Sequence, residues 1–321
     1  MRRRAPVRTL PPMGRSLSGD DHPGNRTDAV SCRALTKRFG DAIAVDSLDL
    51  SVTRGETFGF LGPNGAGKTT TLRMLLGLVR PTSGVARLHV EGGLSHVGAM
   101  VEEPAFYPWL SGRANLRVLA GAGAPLAHRD VEAAMDRAGI ADAAADKVKT
   151  YSQGMRQRLG LAAALMRRPS ILLLDEPTNG LDPGGIRDFR SLLQDVSAEG
   201  VTVFLSSHLL TEVERLCDRV AIVHRGRLAA VGPLGDLEGT GSVVRVEVDP
   251  SDEARAMELL ASRRPRRVAG GVITVAAATG REIAEQLARG GVYPEALSVG
   301  RRSLEDVFME LTEAPRATAG V

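Results

Sequence analysis

The chain has 321 residues, 43% of them hydrophobic and 25% charged, which is enough to bury one large core and leave a smaller second domain. Its formal net charge is only +3, and much of the positive excess sits in Arg2, Arg3, Arg4, Arg8, Arg15 and Arg26, so no nucleic-acid surface is expected. No run approaches the roughly 18 consecutive apolar residues of a membrane-spanning helix. The cysteines, Cys32 and Cys217, are too few and too far apart for a disulfide framework or a zinc site, so a reducing compartment is expected.

Residues 1–28 hold Pro6, Pro11, Pro12, Gly14, Gly19, Pro23 and Gly24 among few apolar residues; they predict a disordered extension, with Met13 as an alternative start. From Val30 a folded pattern begins, with an antiparallel region through Leu35 and residues 48–52. The apolar run Thr57 to Leu61 then leads into Gly62-Pro63-Asn64-Gly65-Ala66-Gly67-Lys68-Thr69-Thr70, followed by a helical stretch over 72–76. Strand, glycine loop and helix in that order are the setting of a phosphate-binding loop. Glycines let consecutive backbone N–H groups and a helix N-terminus converge on an anion. Lys68 is expected to reach the β- and γ-phosphates, Thr69 to place its hydroxyl on Mg²⁺ and Thr70 to donate to the α-phosphate. Lysine occurs elsewhere only at 37, 147 and 149, in a chain whose basic residues are nearly all arginine.

Short apolar strands recur at Val97 to Val101, Ile171 to Leu174, Val201 to Ser206 and Val220 to Val223, mostly separated by helical segments. That alternation predicts an α/β domain on a largely parallel sheet. The Ala- and Leu-rich stretch from Leu110 to Met166, broken by Gly121, Gly123, Pro125 and Gly139, predicts about three helices, an inserted helical subdomain over 104–168. The strand at 171 ends in Asp175-Glu176-Pro177, which delivers two carboxylates to the carboxyl edge from which the phosphate loop also leaves. Asp175 would hold Mg²⁺; Glu176 would orient and polarise the water that attacks the γ-phosphate. A Gly-rich linker at Gly235 to Ser242 closes the first domain, 29–237. A small α+β domain over 242–314 follows, its last helix capped by Ser303, and a tail at 315–321 ends the chain.

With both phosphate motifs in place, the chain resembles the nucleotide-binding subunit of an ABC transporter from residue 30 to about 235. Tyr151-Ser152-Gln153-Gly154-Met155-Arg156-Gln157 stands where that family has its signature, Gly180-Leu181-Asp182 stands at its D-loop, and His208 stands at its switch histidine. The resemblance implies a P-loop NTPase of the ABC type, with a mixed sheet core, an antiparallel β subdomain and an inserted helical subdomain. It also implies Mg²⁺ and ATP as ligands, and catalytic roles for Lys68, Glu176 and His208. Its nucleotide-binding positions are Phe39, which would stack on adenine, Val45, Gly62, Asn64, Gly65, Ala66, Gly67, Lys68, Thr69, Thr70, Glu102, Ser152, Gly154 and Asp182, and its metal positions are Thr69, Glu102 and Asp175. Ser152 and Gly154 would meet the γ-phosphate bound by the opposite protomer, so a homodimer is implied.

The sequence departs from the family at three positions: Gln153 replaces a glycine, Met155 a glutamine and Glu102 the glutamine of the Q-loop. The run Glu102 to Pro108 looks like the bacitracin and lantibiotic exporter branch, and the tail Ser303 to Thr312 is similar to drug-exporter ATPases of the daunorubicin and bacitracin type. These likenesses imply an ABC-2 type membrane permease as partner, a peripheral place on the cytoplasmic face of the membrane and export of a drug or antimicrobial peptide. Phe106, Tyr107 and Trp109 are expected either to line a socket for the permease or to pack inside the helical subdomain. Two rival functions remain on the sequence alone, a soluble ABC ATPase and a regulatory module that holds nucleotide without turnover.

Overall fold

The computed structural model describes residues 27–102, 105–122, 128–238, 242–263, 265–268, 271–276 and 279–312. The expectations for residues 1–26 and for the tail lie outside these, whereas Asp28 is already the first residue of a strand. The chain divides into two compact units, the second beginning at Leu234.

The first unit opens with β1 (Asp28–Phe39), β2 (Ala42–Thr53) and β3 (Thr57–Leu61), followed by α1 (Lys68–Leu75), β4 (Ser83–Leu88) and β5 (Val97–Met100). Three helices follow, α2 (Gly112–Gly121), α3 (His128–Arg137) and α4 (Gln153–Leu165). The chain then returns through β6 (Ile171–Asp175), α5 (Pro183–Ala198), β7 (Thr202–Ser207), α6 (Leu210–Leu216), β8 (Arg219–His224) and β9 (Arg227–Pro233).

β1, β2 and β4 form a three-stranded antiparallel sheet, while six strands form a second sheet in the order β5-β6-β7-β3-β8-β9. All pairs of the second sheet are parallel except β8 with β9, so the core sheet is mixed. Every residue of β3, β6 and β7 is buried, which is why these strands read as continuous apolar runs without alternation. Phe204 of β7 packs its ring 5.6 Å from Phe58 and 5.3 Å from Phe60 of the neighbouring β3. Leu72, Met74 and Leu75 of α1 join these aromatics and Val30, Leu35, Leu48 and Val52 of the antiparallel sheet in one core. Fully burying each such side chain is worth about 1.5–3 kcal/mol. A separate core around Leu116, Val131, Met135 and Leu159 holds α2, α3 and α4 together.

Strand register sets the site. Phe60 lies opposite Ser206, and Ser206 opposite Asp175, so β3, β7 and β6 end level at one sheet edge. The loops leaving that edge carry the phosphate loop, His208 and Glu176.

The second unit begins with α7 (Leu234–Glu238) and continues through β10 (Ser242–Glu247), α8 (Glu253–Leu259), β11 (Arg266–Val268), β12 (Val272–Ala276), α9 (Gly280–Arg289), β13 (Ala296–Arg301) and α10 (Leu304–Thr312). The start of the expected linker is therefore helical, because Leu237 is buried and holds the turn in place. Strand order β11-β12-β10-β13, antiparallel throughout, with α8 and α9 as the connections, is a split βαβ arrangement. Val244, Val246, Ile273, Val275, Ile283 and Leu287 form its core. Ser303 and Asp306 cap α10 reciprocally, each side chain accepting the other residue's backbone N–H.

Candidate nucleotide site

The phosphate loop owes its shape to two glycines. Gly65 and Gly67 have φ values of 80° and 101°, in the left-handed region, and a Cβ at Gly67 would lie 2.4 Å from the carbonyl oxygen of Ala44. Gly67 is also the N-cap of α1, with no side chain capping the helix, so the first-turn N–H groups of Lys68, Thr69 and Thr70 remain for an anion. Lys68 is 6% exposed and its Nζ donates to the Gly62 carbonyl at 2.6 Å, which curls the ammonium back over the loop. A cleft of about 340 Å³ follows from this shape, lined by Phe39, Ala44, residues 63–70 and Glu176. A larger hollow of about 520 Å³ beside β5 and α4 is mainly apolar, with Ser95 and Arg167 as its polar side chains, and offers neither a carboxylate nor a phosphate loop.

Glu176 has a φ of 48°, which turns the chain sharply after Asp175 and sends the two carboxylates in different directions. Asp175 stays at the strand end, buried, with its Oδ1 accepting a hydrogen bond from the Ser206 hydroxyl at 2.5 Å. Glu176 leans over the cleft. Its Oε2 lies 2.6 Å from His208 Nδ1 and also accepts the His208 backbone N–H at 3.3 Å. Its Oε1 lies 3.1 Å from Lys68 Nζ, yet is buried and takes no hydrogen bond. Held by an ion pair alone, that oxygen can turn to a water molecule once a phosphate draws the Lys68 ammonium away.

The other residues singled out in the sequence divide into those that reach the cleft and those that do not. Phe39 stands at its mouth, 52% exposed, with Lys37 Nζ 4.9 Å from the ring centroid. Val45 does not line the cleft: it is buried behind Gly67 and supports the loop from beneath. Glu102 is not directed at Asp175 either, because its carboxylate pairs with the Arg73 guanidinium of α1. Ser152 is the N-cap of α4, accepting the Met155 N–H, and Gly154 packs against Leu181. Asp182 caps α5 by accepting the Gly185 N–H at 3.0 Å. Ser152, Gly154 and Asp182 therefore cluster with the D-loop, and none of the three lines the Lys68 cleft. Ser206 was not singled out by the sequence, since Thr202 and Ser207 are buried hydroxyl residues of the same strand and nothing in the pattern of β7 sets Ser206 apart.

The oxygen donors present suit a hard divalent cation. Thr69 lines the cleft and offers a hydroxyl, and Asp175 offers a buried carboxylate with Oδ1 engaged and Oδ2 remaining, the ligand type Mg²⁺ takes alongside phosphate oxygens and water.

A glycine-cradled phosphate loop beside two carboxylates and a histidine, all on one parallel-sheet edge, defines a P-loop nucleotide-hydrolysing protein. A match to the ABC transporter family covers residues 45–179. An uncharacterised ABC transporter ATP-binding protein of Bacillus subtilis, YdbJ, is 38% identical over 87% of this chain and 94% of its own length. The bacitracin transport ATP-binding protein BcrA of Enterococcus faecalis is 37% identical over 88% of this chain and 96% of its own. Among solved structures, an ATP-binding subunit of an ABC transporter superposes with a TM-score of 0.59 at 27% identity, covering 65% of this chain and 92% of that one. The chain belongs to the ATP-binding proteins of ABC transporters, and it is an ATPase subunit of that family. Among the described residues, no helix is long and apolar enough to cross a membrane.

Proposed function

We propose that this ATPase works as a homodimer closing around two Mg·ATP and drives a separate ABC-2 type permease that exports a drug or antimicrobial peptide. The observation that carries the reading is Glu176, held over the phosphate cleft with Oε1 3.1 Å from Lys68 Nζ and Oε2 2.6 Å from His208 Nδ1. Lys68 and the N–H groups of 68–70 bind the phosphates, Phe39 stacks on the base, and Thr69 and Asp175 hold the metal. Mg²⁺, when bound, neutralises charge developing on the transferred phosphoryl group. Glu176 accepts a hydrogen bond from the attacking water and aligns it, and His208 keeps that carboxylate in place.

Two copies are needed because the anion-binding helix start at Ser152 and Gly154 serves no nucleotide within its own chain; it suits the γ-phosphate of a second. Tyr107 and Trp109, whose rings meet at a tilt with centroids 5.5 Å apart and which are 48% and 64% exposed, form the surface offered to the permease at the cytoplasmic face of the membrane. The similarity to a bacitracin transport ATP-binding protein supports a peptide antibiotic as cargo.

Replacing Glu176 by Gln tests the chemistry. Turnover is expected to fall by about 10²–10⁴-fold while ATP binding is retained and ATP-bound dimers accumulate on a sizing column. Near-normal hydrolysis in that variant would overturn the assignment.

A further inference from the structure

We propose that Ser206 is a positioning residue for ATP hydrolysis, fixing the carboxylate of Asp175 and the backbone of Glu176 with one hydroxyl. The inference rests on the functional reading of those two acids given above.

Ser206 has no solvent exposure and sits in β7, in register between Phe60 of β3 and Asp175 of β6. A hydroxyl at such a place is costly to bury unless it is partnered. Its partners here are the two acids. Ser206 Oγ donates to Asp175 Oδ1 at 2.5 Å. The same oxygen accepts the Glu176 backbone N–H at 3.1 Å, and the Ser206 carbonyl accepts that N–H as well, also at 3.1 Å.

Two consequences follow from this bridge. With Oδ1 held, Asp175 cannot rotate, and Oδ2 is the oxygen kept for the cation. With its N–H held from two sides, Glu176 is kept in the left-handed conformation that turns its side chain away from Asp175 and toward His208 and Lys68. The adjacent Ser207 cannot substitute, because its hydroxyl accepts the Leu209 N–H at 2.9 Å and braces the next turn instead. Groups that hydrogen-bond a metal-ligating carboxylate typically matter by about 10- to 100-fold in metal affinity or activity.

Calorimetry on the full chain tests this with ADP as the probe, in EDTA and across a Mg²⁺ titration. Ser206→Ala should bind ADP in EDTA as the wild type does, lose about 10- to 100-fold in the Mg²⁺ affinity of the ADP complex and show a lower kcat at saturating Mg·ATP. Ser206→Thr, which keeps the hydroxyl, should restore Mg²⁺ affinity, and Ser207→Ala should leave it at the wild-type value. If alanine destabilises the fold, Ser206→Cys decides, since a thiol of similar size is a weak donor and should lose Mg²⁺ affinity too. Wild-type Mg²⁺ dependence in Ser206→Ala or Ser206→Cys overturns the proposal. A wild-type protein whose ADP binding ignores Mg²⁺ would instead overturn the functional reading, whatever Ser206 does.

Discussion

Lys68 Nζ lies 3.1 Å from Glu176 Oε1, so the phosphate-binding cation and the hydrolytic carboxylate share one contact at the base of the cleft. The ammonium cannot fully serve both this carboxylate and a triphosphate. An incoming γ-phosphate competes for Lys68 and leaves Glu176 Oε1 to a water molecule, which links nucleotide arrival to assembly of the hydrolytic site.

The two residues should therefore respond oppositely to substitution. Lys68→Ala removes charge-assisted contacts worth about 1.5–3 kcal/mol each, and ATP affinity should fall by roughly 10- to 100-fold or more. Glu176→Gln removes a negative charge beside the γ-phosphate and should bind ATP at least as tightly as the wild type. Equilibrium titration with a fluorescent nucleotide separates the two, and equal losses in both variants would contradict a shared contact.

Phe39 gives a second prediction. The ring is half exposed at the cleft mouth, so Phe39→Ala should barely change the unfolding midpoint. If the ring stacks on the base, the variant loses about 1–3 kcal/mol of ATP binding, and a similar amount for GTP, since every base has a π-face. Inorganic tripolyphosphate has no base, and its affinity should stay unchanged.

The site was legible in the sequence where chemistry demands fixed spacing. Gly62 to Thr70 must be contiguous to wrap a phosphate, and Asp175 and Glu176 must close a buried strand. Contacts made across the fold left no such mark. Glu102 and Arg73 are far apart in sequence, and only the fold brings them together. Val45 is placed among the nucleotide-binding positions by resemblance, and only the fold shows Gly67 packed on it. Among the elements, β4 and β9 carry little signal because they are exposed or half exposed, with Ser, Gly, Arg and Ala in place of an apolar run. The turn at α7 was hidden by Gly235, although Leu237 is the residue that fixes it.

Both thiols should be inert in the native protein. Burial pushes Cys32 up to about 12, with Asp49 adding to the effect, and burial beside Asp218 raises Cys217 further. The thiolate is the reactive form, so a disulfide-exchange reagent at pH 8 should titrate neither cysteine in buffer and both in denaturant. Rapid labelling of one thiol in buffer would show local opening around that residue, at the end of α6 for Cys217 or in β1 for Cys32.

Arg190 of α5 and Glu212 of α6 make a two-pronged ion pair, Nε to Oε2 at 3.1 Å and Nη2 to Oε1 at 2.9 Å, with side chains 15% and 10% exposed. α5 starts at the Asp182 cap and α6 starts just after His208, so this pair clamps the helices that continue the D-loop and the switch-histidine loop. Breaking it from one side leaves a buried charge without its partner, and Arg190→Met or Glu212→Leu alone should cost about 3–5 kcal/mol in urea unfolding. The double variant removes both charges and should recover most of that loss. Turnover distinguishes a clamp from mere packing. If the pair also sets where His208 stands, the double variant regains stability but keeps a lowered kcat, because apolar side chains restore volume without the fixed two-point geometry. Full recovery of both stability and kcat would confine the pair to holding the helices together.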